Sequence, residues 1–389
     1  MNSFAVIVVG AGPVGLALSA LLHQAGIAVA LVEPQPLRRL PDVHDLRTVA
    51  LTKASLAVLA ELPLDWSLWR HVDYRQVRVE DADASSPLLF DAEQMGVASL
   101  GRLVENAVLQ CALQNCVDAL ALPQYEQRLS ASGIAAGQRW LDLSDGTRLQ
   151  ADLVVACDGA HSPLRQQLGI ELWQHDYAQS ALVACVQHSG DARVQAWQRF
   201  ERGYPLALLP LSPLTGGPSS NLVWSLPRPR AEALLALSEA AFIDHLAPQL
   251  PAVYGRLLSV SARALYPLQA RHARTYCAER AVLVGDAAHV IHPLAGQGLN
   301  LGFADVRVLV QELLRLRDRG LSLADPLGLR RYERRRRPEN QRMQQAMPWI
   351  QGLFAPEGPT GALLKGAGLA WLSRHAGLRH WLGRQALGT

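Results

Sequence analysis

The chain has 389 residues, of which 49% are hydrophobic and 18% charged, with a formal net charge of +3 at pH 7. That is enough apolar material for a sizeable core over two or three domains, and it argues against a disordered chain or a nucleic-acid-binding one. Five cysteines (Cys111, Cys116, Cys157, Cys185, Cys277) are odd in number with no C-x-x-C pair, which argues against a disulfide framework and for a reducing compartment such as the cytoplasm.

The first charged residue is Glu33, so residues 1–32 have the apolar look of a signal peptide or a span. They carry no Lys or Arg, however, and Gly10, Gly12, Pro13 and Gly15 interrupt the apolar run; the stretch reads as buried strand, turn and helix. Phe4 to Val9 form the strand, Leu16 to Gln24 the helix, and Ala28 to Val32 a second strand, one βαβ unit. Within it, Gly10-Ala11-Gly12-Pro13-Val14-Gly15 suits a dinucleotide: the first glycine for the turn, the second for pyrophosphate approach, the third for helix–strand packing. The helix N-terminus offers N–H groups to phosphates, and Glu33 ends the second strand where an acid accepts ribose hydroxyls. A bare packing turn is the competing reading.

Two further buried strands, "ADLVVACDG" (151–159) and "RAVLVGD" (280–286), each run into an Asp-Gly or Gly-Asp turn. Between them, "SALVACVQ", "PLALLPL" and "SNLVWSLP" within 176–227 suit an antiparallel sheet over a second site. After Gly302 the pattern turns helical. Residues 330–389 hold ten Arg and one Lys against three Glu, a net +8 that leaves −5 on the rest. Such a basic end fits anionic lipid headgroups, an acidic partner, or a solvated helical face.

Asp158 in "DGAHSPLR" (158–165) and Asp286 in "GDAAHVIHPLAGQGLNLG" (285–302) give the chain its resemblance to flavoprotein monooxygenases of the para-hydroxybenzoate hydroxylase type. "HPLAGQGLNLGFADV" (292–306), "LGRLVENAVLQCAL" (100–113), "RYERRRRPEN" (331–340) and the final "WLGRQALG" are most similar to the ubiquinone-biosynthesis hydroxylases. The resemblance spans nearly the whole chain. It implies an α/β fold: a discontinuous Rossmann-like FAD-binding domain (1–70, 95–165, 270–330), an antiparallel-sheet substrate domain (71–94, 166–269) and a C-terminal helical region (331–389).

It also implies roles. Asp286, after Gly285, meets a ribityl hydroxyl of FAD, and the loop Gly296, Gln297, Gly298, Leu299, running into Asn300, lays backbone N–H groups against the flavin, with Pro293 lining its face. Arg47 stands beside the pyrophosphate, and Asp158 and Arg165 belong to cofactor contact and the passage of nicotinamide; strand-end turn and surface ion pair are the bland alternatives. Arg102, also a cofactor-side position, departs from the aromatic or aliphatic residue of relatives, as Asn106 departs from an Arg and Tyr204 from a Gly-Pro-Leu-Ala stretch. Asp286, His289 and His292 have a spacing that a metal could use, but no cysteine or further acid stands nearby, and no metal is expected.

The implied activity is hydroxylation of the aromatic ring of a polyprenyl phenol with O2 and NAD(P)H. A hydroxylase of soluble aromatics and a non-catalytic subunit of a quinone-biosynthetic assembly are the alternatives. On a helix, Leu364, Ala367, Trp371, His375, Leu378 and Leu382 form a stripe flanked by Arg374 and Arg379; it suits either packing on the FAD domain or peripheral contact with a membrane or complex.

Overall fold

The computed structural model describes residues 2–354 except 41, 83–86, 192–194, 202–203, 215–216 and 292–296, so His292, Pro293, Gly296 and the C-terminal stripe lie outside the described residues. The chain opens with β1 (Asn2–Val9), α1 (Pro13–Gln24) and β2 (Val29–Val32). Pro13 occupies the first turn of α1, where a missing N–H costs nothing. Leu16 to Leu22 are buried, and Gly26, at φ +77°, ends the helix in the left-handed conformation.

There follow β3 (Thr48–Leu51), α2 (Lys53–Leu59), β4 (Val72–Tyr74), β5 (Gln76–Asp81), β6 (Leu88–Asp91), β7 (Gly101–Glu105), α3 (Asn106–Ala119), β8 (Gln124–Tyr125), β9 (Leu129–Ala135), β10 (Gln138–Leu143), β11 (Arg148–Ala156) and α4 (Pro163–Gln167). The second half contributes β12 (Leu172–His188), β13 (Gln195–Glu201), β14 (Tyr204–Leu211), β15 (Ser219–Pro227), α5 (Arg228–Leu235), α6 (Glu239–Leu246), β16 (Leu257–Val260), β17 (Ala264–Ala273), β18 (Cys277–Ala278), β19 (Ala281–Leu283), β20 (His289–Val290), α7 (Gln297–Asp318) and α8 (Pro326–Phe354).

Among the described residues the strands make three sheets. The first runs β18-β19-β11-β1-β2-β8, with β10 and β9 extending from β11, and its strands from β19 to β8 are parallel. Val6 to Val9 and Val29 to Val32 are buried throughout, the pattern of a sheet covered on both faces. Val9 is opposite both Ala156 and Val32, and Ala156 is opposite Leu283, so four strands stop level. The hydrogen bonds continue one step further: Cys157 N donates to Val9 O at 2.7 Å, Val284 N to Ala156 O at 3.0 Å, and Gly10 N to Val32 O at 2.8 Å. Gly10, Glu33, Asp158 and Gly285 therefore emerge along one edge.

The second sheet runs β20-β17-β12-β15-β14-β13-β5-β6, with β16 on β12. It is antiparallel as expected, except that β5 joins β13 in parallel. One face packs Leu182, Trp197 and Trp224 against Phe242 and Leu246 of α6. The other carries Ala181, Val183 and Leu268 against Leu46, and Asn221 Nδ2 donates to Leu46 O at 2.9 Å. The third sheet is β3-β7-β4, in which Val72–Tyr74 pairs with Gly101–Leu103. Gly101 allows this, because a Cβ there would lie 2.8 Å from the Tyr74 hydroxyl.

Helix α7 begins at Gln297 rather than after Gly302, so Gln297, Gly298, Leu299 and Asn300 are its first turn and not a loop. The N–H groups of Gln297, Gly298 and Leu299 have no acceptor within the helix, so the donors expected of a loop sit at a helix start. Among the described residues no helix is long and apolar enough to cross a membrane.

A Cβ on Gly15 would lie 2.0 Å from Gly10 O and 3.1 Å from Cys157 Cβ. Gly15→Ala should therefore destabilise the fold by roughly 1–3 kcal/mol or more, the scale of overpacking. Urea unfolding checks this, and a variant as stable as the parent would show that α1 and β1 can part without cost.

Candidate active site

The sheet edge builds the site. Gly10, at φ +105°, lies against β11, where a Cβ would meet Cys157 O at 2.4 Å. A Cβ on Gly12 would meet nothing within 4 Å, and no side chain caps α1, so the start of the helix faces open space. Glu33 Oε2 accepts Ala11 N at 2.9 Å and Oε1 accepts Gln35 N at 3.0 Å; each oxygen keeps a lone pair free for a hydroxyl. From α3, Gln110 Nε2 donates to Ala11 O at 2.9 Å and fixes the glycine turn from the far side. The sequence reading passed over Gln110, though it lies within the "LGRLVENAVLQ" segment.

Arg47 is exposed, 3.8 Å from Asp45. The backbone beneath it is rigid: Asp45 accepts Arg47 N at 3.0 Å and Ala107 N at 2.9 Å, and Arg47 O accepts Asn106 N at 2.8 Å. Glu105, 2% exposed, accepts Asp45 N at 2.7 Å, Arg70 Nε at 2.8 Å and a bond of 3.0 Å from His44 Nδ1. Burial pushes the Glu105 carboxyl up, but His44, Arg70 and the Asp45 amide outweigh it and hold the group at about 2.

Asp158 Oδ2 accepts Leu164 N at 3.0 Å at the start of α4, while Oδ1 is buried without a partner. Burial raises this carboxyl above its ordinary value. Arg165 is not a surface ion pair: it is buried, and it donates to Ala160 O at 3.0 Å and to Ala287 O at 2.8 Å, lashing the Asp-Gly turn to the Gly-Asp turn. Asp286 is exposed, and its side chain makes no hydrogen bond among the described residues. The surrounding protein displaces bulk water and raises its carboxyl, against the pull of His289 and Arg47.

What holds the Gly-Asp turn is Asp305 of α7, fully buried. Its Oδ2 accepts Gly285 N at 3.1 Å and His289 Nε2 at 2.6 Å; its Oδ1 accepts Arg336 Nε at 2.7 Å and Asn340 Nδ2 at 3.2 Å. Burial raises this carboxyl and the charges of His289 and Arg336 overcome that, leaving it at about 2. His289, one of the spaced histidines, is thus spent on Asp305. The network continues outward. Asn340 Nδ2 also donates to Tyr276 Oη at 3.2 Å, the hydroxyl is 3.0 Å from His272 Nε2, and His272 Nδ1 is 3.1 Å from Gln344 Oε1. Burial pushes His272 down to about 4, so the neutral ring takes the hydroxyl proton at Nε2 and donates from Nδ1.

Two expected site residues have other work. The Arg102 guanidinium grips Asp73 at 2.7 and 2.9 Å and lies 4.7 Å from the Trp66 ring centroid. The Asn300 side chain accepts Thr52 N at 3.0 Å and Ser55 Oγ at 2.7 Å and donates to Ala50 O at 2.8 Å, stitching α7 to β3 and α2. Gly298, with nothing within 4 Å of an added Cβ, leaves the first turn of α7 open.

The family described as FAD binding domain matches residues 3–347. The chain is 34% identical to the 3-demethoxyubiquinol 3-hydroxylase of Escherichia coli K12, over 98% of each chain. It is 32% identical to the ubiquinone hydroxylase UbiL of Rhodospirillum rubrum, over 99% of this chain and 89% of that one. Its fold is similar to that of PqsL, a probable FAD-dependent monooxygenase from Pseudomonas aeruginosa, with a TM-score of 0.75 and 22% identity over 95% of this chain and 100% of that one.

Glu105 and Asp305 both sit at about 2 in the folded chain, below their unfolded values of about 4.5 and 3.8. A lowered carboxyl stabilises fully above its unfolded value and loses that contribution as pH falls towards the folded one. Stability should therefore hold above about pH 5 and decline steeply towards pH 2. Asp305→Asn orphans buried donors and should cost roughly 3–5 kcal/mol at neutral pH while flattening the acid limb. Urea titrations across pH check both, and an Asp305→Asn protein with parental stability would remove Asp305 as the anchor.

Proposed function

As a member of the FAD-binding-domain family and, within it, of the ubiquinone-biosynthesis hydroxylases, the chain is an FAD-dependent aromatic hydroxylase, and we propose that it acts on the ring of a membrane-borne prenyl phenol, using O2 and NAD(P)H. The observation that carries the cofactor reading is the mixture of free groups on one edge. Among the described residues, a Cβ on Gly12 would meet nothing, Arg47 is exposed, Asp286 has no partner and Asp158 Oδ1 is buried without one. A dinucleotide with a polyol linker has the complementary parts: phosphates for the start of α1 and for Arg47, ribose hydroxyls for Glu33, and a further hydroxyl for Asp286.

Bound FAD supplies the hydride acceptor and the oxygen-activating ring. The chain supplies placement. Ionised Asp286 can only accept, so it orients a hydroxyl donor. The first-turn N–H groups of α7 and its positive dipole end favour negative charge beside them. The sheet face carrying Ala181, Val183 and Leu268 is apolar, and it would keep water from a ring bound against it.

Asp286→Ala should give a folded protein that loses FAD on purification; full retention of flavin would remove that role. The substrate reading is tested with the FAD-loaded chain and a short-chain prenyl phenol. NAD(P)H oxidation should rise on adding the phenol, with one oxygen gained by mass spectrometry. Turnover confined to water-soluble aromatics would overturn it.

The C-terminal stripe supports peripheral contact with lipid, because a prenyl phenol is nearly insoluble in water and its enzyme must reach the bilayer. Removing residues 362–389 should abolish co-sedimentation with anionic liposomes while FAD stays bound. Undiminished co-sedimentation would place the contact elsewhere.

A further inference from the structure

A groove of about 590 Å³ lies between the first half of β12, the end of β17 and one face of α8. None of the cradle residues lines it. On β12, alternate residues Trp173, His175 and Tyr177 share a face. The Trp173 and His175 rings stack at 6.1 Å and 12°, and His175 meets Tyr177 edge-on at 4.7 Å. Trp173 is 51% exposed. Across from this ladder, α8 presents Arg337, Gln341 and Gln344, spaced to lie on one helical face.

The polar groups on the α8 side are incomplete. Arg337 makes no ion pair among the described residues, and its Nε is buried without a hydrogen-bond partner. Gln344, 7% exposed, has its Oε1 fixed by His272 and its Nε2 unpartnered. Among the described residues no carboxylate lines the groove; Arg274, also on its wall, is already paired with Glu171 at 3.0 Å. A guanidinium and an amide, both donors only at their free nitrogens, thus face a ladder of flat rings.

We propose that this groove is a second ligand site that takes a flat aromatic carboxylate, and that its occupancy is felt at the FAD cradle. The carboxylate answers the Arg337 fork and the Gln344 amide; the flat body answers the ring ladder. Transmission follows from bonds already described. Gln344 is held by His272, His272 by the Tyr276 hydroxyl, that hydroxyl by Asn340, and Asn340 by Asp305, whose other oxygen holds Gly285 beside Asp286. Each link from Asn340 outward donates in the same direction, so a ligand oxygen accepting from Gln344 Nε2 polarises the chain from its far end.

The probe is 2-naphthoate, titrated by calorimetry into the full-length, FAD-loaded protein, with neutral 2-naphthamide as control. Binding should weaken at least tenfold for naphthamide, for Arg337→Ala and for Gln344→Leu, with circular dichroism and melting temperature confirming that each variant is folded. Saturating 2-naphthoate should also shift the FAD dissociation constant of the apoprotein at least threefold. In Tyr276→Phe that shift should vanish while naphthoate still binds. Absence of binding at millimolar probe, or equal binding by naphthamide or Arg337→Ala, overturns the site. Displacement of 2-naphthoate by the phenolic substrate or by NADPH would make the groove part of the catalytic pocket and overturn its independence. Survival of the FAD shift in Tyr276→Phe overturns the transmission.

Discussion

One buried carboxylate decides where the catalytic edge sits. Asp305 accepts four hydrogen bonds from donors on the Gly-Asp turn, β20 and α8, which fills the acceptor capacity of an ionised carboxylate. Because it is itself part of α7, it fixes that helix relative to the turn that carries Asp286. An ion taken this far out of water survives only with such a complete set of partners. Its partners are therefore fixed too, and two elements of the candidate site, the Gly-Asp turn and α7, share one reference point.

Close packing brings the third element to the same point. Val14, on α1, touches both the Gly-Asp turn and α7: a Cβ on Gly285 would lie 3.3 Å from Val14 Cγ1, and one on Gly302 would lie 2.6 Å from Val14 Cγ2. The glycines around the site thus do different jobs. Gly15 and Gly302 let elements touch; Gly12 and Gly298 leave space that the described residues do not fill. Arg165 adds the Asp-Gly turn by bonding to a carbonyl of the Gly-Asp turn.

The βαβ unit, the three strand-end turns and the roofing sheet were legible because each is written in contiguous residues: apolar runs, glycine spacing, an acid after a strand. The anchors were not. Asp305 is 16 positions from His289 and 31 from Arg336, and Glu105 is 61 from His44, distances over which local patterns say nothing. The arginine run 334–337 shows the limit plainly. As sequence it is a basic stretch on a helix, and as charge it counted towards a surface for anions. In the fold Arg336 is 3% exposed and bound to Asp305, while Arg335 stays at the surface. Only the helical phase, set by packing against α7, separates the two. The bonds made by Asn300 and Arg102 were hidden for the opposite reason: their side chains turn to protein partners, Thr52, Ser55 and Ala50 for one and Asp73 for the other, which spacing cannot reveal.

What separates anchors from working groups here is saturation. Glu105, Asp305 and Asn300 have their hydrogen-bonding capacity met from within the chain, and each is fixed as a result. Asp286 and Asp158 Oδ1 have no partner among the described residues, and the exposed Arg47 has only Asp45 at 3.8 Å, although the same fold places saturated groups within a few residues of them. A buried or confined polar group without a partner is destabilising, so its persistence beside complete networks marks where a ligand belongs. The same criterion draws attention to Arg337 and Gln344. They adjoin Arg336 and Asn340 on one helix, and they differ from those two in facing a groove rather than a carboxylate.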